Sequence, residues 1–172
     1  MRAAALASTA LAALLLTACS SEADLPAGDE LAGVAWSPCD GLSAAQVSRI
    51  VGEPMEMQTG TADQPRCSFT PVTEGGPAYD VSYLLFDGGL DEALDAMGAA
   101  STLLEPVAVP GAEAARIAVR ERDSGTLVSG FVQTDGLVQS VNAVGLAPYD
   151  KDALVDTTTD LLAELAEQAP QQ

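Results

Sequence analysis

Three kinds of hydrophobic patterning succeed one another along the chain. Behind Met1-Arg2, the stretch from Ala3 to Leu16 is an uncharged apolar run, suited to the core of a signal peptide and too short for a permanent bilayer-spanning helix. Residues 20–35 mix acidic and small residues with Pro26 and two glycines and hold no sustained apolar period. From Trp36 onward the pattern turns periodic. Ser43-Ala44-Ala45-Gln46 has the form of a capping box, with Val47, Ile50 and Val51 at helical spacing and Gly52 and Pro54 closing the segment, which predicts a short first helix. Alternation then predicts strands over Met55 to Thr59, Arg66 to Val72 and Tyr79 to Phe86, the last with Val81, Tyr83 and Leu85 on one face.

Asp87-Gly88-Gly89 breaks the alternation, and Leu90, Ala93, Leu94 and Met97 recur at intervals of three and four, predicting a second helix to about Ala100. A strand over Leu104 to Val109, bounded by Pro110-Gly111, is expected next. Ala115 to Arg122, Thr126 to Thr134 and Leu137 to Val144 are strand-like runs parted by Asp123-Ser124-Gly125 and by Asp135-Gly136. The Asp-Gly pair is a two-residue hairpin signal, because both central positions of a type I′ turn need positive φ. A last helix is capped by Asp150 or a neighbour, with Leu154, Val155, Thr158, Leu161, Leu162 and Leu165 as its apolar stripe. The order helix, three strands, helix, about four strands, helix predicts a single α+β domain over residues 36–170. Each amphipathic helix must cover an apolar sheet face, so two layers are expected, with a mainly antiparallel sheet, about three helices and an approximate duplication of an αβββ unit.

The apolar run closes on Leu16-Thr17-Ala18-Cys19, which resembles the lipobox of bacterial lipoproteins. The resemblance implies that residues 1–18 are a removed signal peptide. Cys19 then becomes the first mature residue, carrying a diacylglyceryl thioether and often a further acyl chain, such as palmitate, on the new amino group. Each buried methylene contributes about 0.8 kcal/mol, so two or more chains anchor stably where one does not. The expected location is the cell membrane, facing outside the cytoplasm. Residues 19–35 read as a flexible tether with a reach of roughly 20–25 Å.

With Cys19 lipidated, Cys39 and Cys67 remain as an even pair in a disulfide-permissive compartment, and a Cys39–Cys67 bridge is expected. Ser37-Pro38-Cys39-Asp40-Gly41-Leu42-Ser43, a short helix ending at Gly52 and a later Cys67-Ser68-Phe69 resemble the actinobacterial secreted lipoprotein family called domain of unknown function 3558. That resemblance implies the same location, disulfide and rough fold, and brings no activity with it.

Charge narrows the partners. Without Arg2 the chain keeps six basic residues against 25 acidic ones, a net charge of −19, which argues against nucleic acid. Chemistry is sparse as well. The chain has no histidine, which removes Ser-His-Asp and Cys-His catalysis and histidine zinc sites. No catalytic residue, metal site or cofactor is expected. Gly41-Leu42-Ser43-Ala44-Ala45 is a near miss of a nucleophile elbow and more simply a helix cap. Asp87, Asp91 and Asp95 can supply carboxylates or merely favour a helix start. Lys151 is the sole lysine, and Arg116, Arg120 and Arg122 alternate on one strand face, where they can receive an anionic group or simply be solvated. The expected function is a non-catalytic, membrane-anchored lipoprotein whose domain binds a small molecule, lipid or protein. A structural or accessory modulator of another envelope protein is the alternative, and a carboxylate-dependent hydrolase the third. A large apolar cavity would favour ligand binding, and a closed core with an exposed apolar patch the accessory role.

Overall fold

The structure is a computed structural model that describes residues 37–61, 64–98 and 103–170. Residues 1–36, and with them the leader, Cys19, the tether and Trp36, lie outside the described residues. Within them the chain runs α1 (Pro38–Gly41), α2 (Ala44–Val51), β1 (Met55–Thr61), β2 (Gln64–Pro71), β3 (Ala78–Leu85), α3 (Leu90–Ala96), β4 (Glu105–Pro106), β5 (Ala114–Arg122), β6 (Gly125–Thr134), β7 (Leu137–Leu146) and α4 (Lys151–Gln168). All seven strands join one antiparallel sheet in the order β1-β2-β3-β7-β6-β5-β4. This is the expected α+β domain.

Local chemistry accounts for most boundaries. Ser43 and Gln46 form the reciprocal capping box at the start of α2, satisfying two amide groups that the first turn cannot. The carboxylate of Asp150 accepts the backbone N–H of Asp152 at 2.8 Å and of Ala153 at 3.2 Å, which starts α4. Asp135 and Gly136 take φ values of 45° and 72°, and Thr134 faces Leu137 across them, so the Asp-Gly pair makes the tight hairpin it predicted.

Four differences have identifiable causes. Helix α3 stops at Ala96 instead of running to Ala100, because Gly98 turns into the left-handed region at φ 67° and its N–H bonds back to the carbonyl of Asp95. The strand expected over Leu104 to Val109 shrinks to Glu105–Pro106, since Pro106 and Pro110 each lack a ladder donor. A single turn, α1, precedes α2 and carries Cys39. The duplication holds for the strands only: β1–β2–β3 and β5–β6–β7 are two meanders joined through β3 and β7, while the helices do not follow it.

Side chains alternate along a strand, and the pairing registers therefore divide the sheet into two faces. Tyr79, Val81, Val128, Val132, Val141 and Ala143 point to one face and are buried there against Leu154, Leu161, Leu162 and Leu165 of α4. Burial of each such leucine contributes about 1.5–3 kcal/mol. Gly130 permits the close approach: a Cβ there would stand 2.8 Å from Leu162 Cδ1. Gln139, fully buried on the same face, donates from Nε2 to the carbonyl of Leu165 at 3.0 Å, satisfying a carbonyl in the last turn of α4. Helix α2, with Val47 in this core, contacts β1 and α4. Cys39 and Cys67 form a disulfide, with Cα atoms 5.5 Å apart, that ties α1 to β2. Burial on this face, followed by the neighbouring Tyr149, pushes the ionisation of the Tyr79 phenol to higher pH.

Helix α3 lies on the opposite face. Its Leu90, Ala93 and Leu94 pack with Val138, Phe131, Ala114 and Leu104 in a second, smaller cluster. Gly89, preceding α3, supplies no side-chain cap. Instead Gln133 of β6 accepts the Leu90 N–H at 2.6 Å.

Candidate interaction surface

The face opposite α4 has three zones along the strands. At one end stands α3. In the middle runs a polar ladder: Ser68 donates to Asp80 at 2.8 Å, Ser82 and Ser140 bond at 2.8 Å, and Ser129 donates to Asn142 at 2.8 Å. These pairs satisfy one another across adjacent strands, which makes that zone a stable surface facing water.

The third zone is different in kind. Arg120 and Arg122 of β5, Leu127 of β6, and Val144 and Leu146 of β7 share the open face beyond the ladder. They line a shallow cleft with Ser124, Gly125 and Thr126. Val144 is 42% exposed and Leu146 62%. An exposed apolar pair beside two arginines, in a chain of net charge −18, can bury apolar area and receive anionic groups at once.

The arginine triad is thereby split. Arg116 lies at the α3 end, where its Nη2 stands 3.0 Å from a carboxylate oxygen of Asp91. Arg120 and Arg122 form no ion pair among the described residues. The three aspartates divide likewise. Asp91 holds Arg116, Asp95 lines the adjoining cleft, and Asp87 sits in the turn before α3 with a carboxylate oxygen close to Gly136. No group of three or more acidic or cysteine side chains among the described residues is placed to hold a metal ion. Ser43 is occupied as the cap of α2. Lys151 pairs with Glu121 at 3.5 Å on the exposed surface.

Val144 and Leu146 were missed as surface residues by sequence reasoning, because an alternating apolar strand reads as core until its register is known. The usable signal was the apolar-polar order Ser140-Val141-Asn142-Ala143-Val144, in which Val144 falls on the polar side.

Comparison with protein-family models, with curated proteins and with solved structures found no match for this chain. Among the described residues no helix is long and apolar enough to cross a membrane.

Proposed function

We propose that the chain is a lipid-anchored envelope protein, held at the outer side of the cell membrane through Cys19, whose domain works by binding another envelope protein and performs no catalysis. The observation that carries this reading is the patch of Arg120, Arg122, Leu127, Val144 and Leu146, which lies beyond the polar ladder at the end of the sheet face away from α3. The closed packing between α4 and the sheet supports it over capture of a small molecule or lipid. The larger clefts among the described residues lie at loops, edges and strand ends, such as the one of about 370 Å³ between the β6–β7 turn and the end of α4. Absence of histidine from the whole chain leaves it without the side chain that most readily exchanges protons near neutral pH. The anchor rests on the apolar leader ending in Leu16-Thr17-Ala18-Cys19, and membership of the lipoprotein family called domain of unknown function 3558 is part of the same proposal.

Two experiments test the two halves. Cys19→Ala should release the protein from the membrane fraction or leave the precursor unprocessed; retention at normal mature size overturns the anchor. A photo-reactive residue at Val144 should cross-link a discrete envelope protein in intact cells, and the adduct should vanish when Arg120 and Arg122 become Glu. The same probe at Asp160, exposed on α4, should not. Equal adducts from both positions overturn the docking reading.

A further inference from the structure

Beside the patch, β5 is an unfinished edge. Strand β4 pairs only Glu105 with Ile117 and Pro106 with Arg116, and among the described residues no strand faces β5 beyond Ile117. Arg122 and Gly125 oppose each other across a two-residue loop. In such a hairpin the closing pair exchanges hydrogen bonds, so Arg122, Arg120 and Ala118 direct their backbone groups inward to β6. Val119 and Glu121 therefore direct theirs outward. The same phase is visible further along, where the outward carbonyl of Ala115 accepts the N–H of Val107. Arg120, Glu121 and Arg122 are exposed and Val119 is half-buried, and among the described residues no backbone group outside β6 bonds the outward N–H and C=O groups of Val119 and Glu121, which can receive a further strand.

We propose that the β5 edge over Ala118–Arg122 takes up an extended acidic segment of the partner protein as an added strand, with carboxylates at alternate positions set against Arg120 and Arg122. This rests on the docking reading above and names the partner's chemistry. Backbone hydrogen bonds would supply the pairing and the arginines its selectivity, since opposite charges facing each other across strands attract. The patch continues inward from the arginines over Leu127 to Val144 and Leu146, giving the body of the partner an apolar surface to cover. A second copy of this chain is a poor occupant: two-fold pairing of this edge brings arginines of both copies together on one face, between two domains that are already strongly acidic.

The test uses the full chain in detergent micelles and a short capped peptide of alternating aspartate and threonine, with its lysine counterpart as control. The acidic peptide should bind by calorimetry and slow hydrogen exchange at the amides of Val119 and Glu121 by at least about tenfold, whereas the lysine peptide should do neither. Arg120→Glu with Arg122→Glu should weaken binding at least about tenfold with an unchanged melting temperature. Glu121→Pro removes an outward donor and only the exposed pair with Lys151, and should also weaken binding with both arginines in place. No binding by the acidic peptide, binding without slowed exchange at those amides, or full binding by Glu121→Pro overturns the proposal. If the Val144 cross-link persists under any of those results, docking stands and strand addition alone falls; if the cross-link is lost too, both fall.

Discussion

The two faces of the sheet are made from the same seven strands and treat apolar side chains in opposite ways. On the α4 side, leucines and valines sit at zero exposure around Gly130 and Gln139. On the other side, serines, Asn142 and Asp80 pair across strands, and apolar residues occur at the two ends. One end is covered by α3. The other is bare and carries Arg120 and Arg122. A polar face with one uncovered apolar end has no folding reason to keep that end apolar, whereas the covered face cannot do without its leucines.

The sharpest way to break this comparison is one substitution made on both sides. Leu162→Ala removes a fully buried side chain from the α4 interface and should cost about 2–5 kcal/mol in urea unfolding. Leu146→Ala on the open face should stay within about 0.5 kcal/mol. A loss at Leu146 equal to that at Leu162 would mean that the patch belongs to the core.

Replacing Cys39 and Cys67 together by Ala removes the tie between α1 and β2 and should cost about 3.5 kcal/mol on the chain-entropy account. The loss should appear in the denaturation midpoint and leave the Val144 cross-link intact, since the disulfide lies on the covered side of the fold.

The pH dependence of stability tests the burial of Tyr79. An unfolded tyrosine ionises near pH 10, while burial holds the folded phenol neutral to higher pH. Both states are protonated below pH 10, so the contribution is complete there and is lost as pH rises above it. Between pH 9 and 11 the wild type should lose about 1.4 kcal/mol more than Tyr79→Phe. Identical profiles would place that hydroxyl in water.

A small effect is also expected from Arg116→Ala. Its pair with Asp91 is largely exposed on the aspartate side, and the loss should be below about 1 kcal/mol. No change in acidic-peptide binding should accompany it, in contrast to Arg120 and Arg122.

Several elements were legible from neighbouring residues alone. Ser43 with Gln46, Asp150 before α4 and Asp135-Gly136 between β6 and β7 act within a few residues of themselves, and each performed as its chemistry predicts. The stripe from Leu154 to Leu165 was legible for the same reason, since one helix defines its own face. Less legible was anything that depended on a distant partner. Helix α3 has a readable apolar face, yet its lodging on the side opposite α4 depends on Val138 and Phe131 and on a cap from Gln133. The strand near Pro106 is shorter than its hydrophobic residues predict, because the prolines there lack ladder donors.

What the sequence by itself determined is the set of local preferences: where helices begin, where the hairpin turns, which residues can be buried, the acidic balance, and the absence of histidine. The tertiary structure alone decided which apolar residues stay exposed and which arginines form no ion pair among the described residues. Strand register assigns each side chain to a face, and one residue of slip would exchange the two faces. Arg116 and Arg120 are equivalent by spacing; the presence of Asp91 beside one and an open strand edge beside the other is a fact of three dimensions.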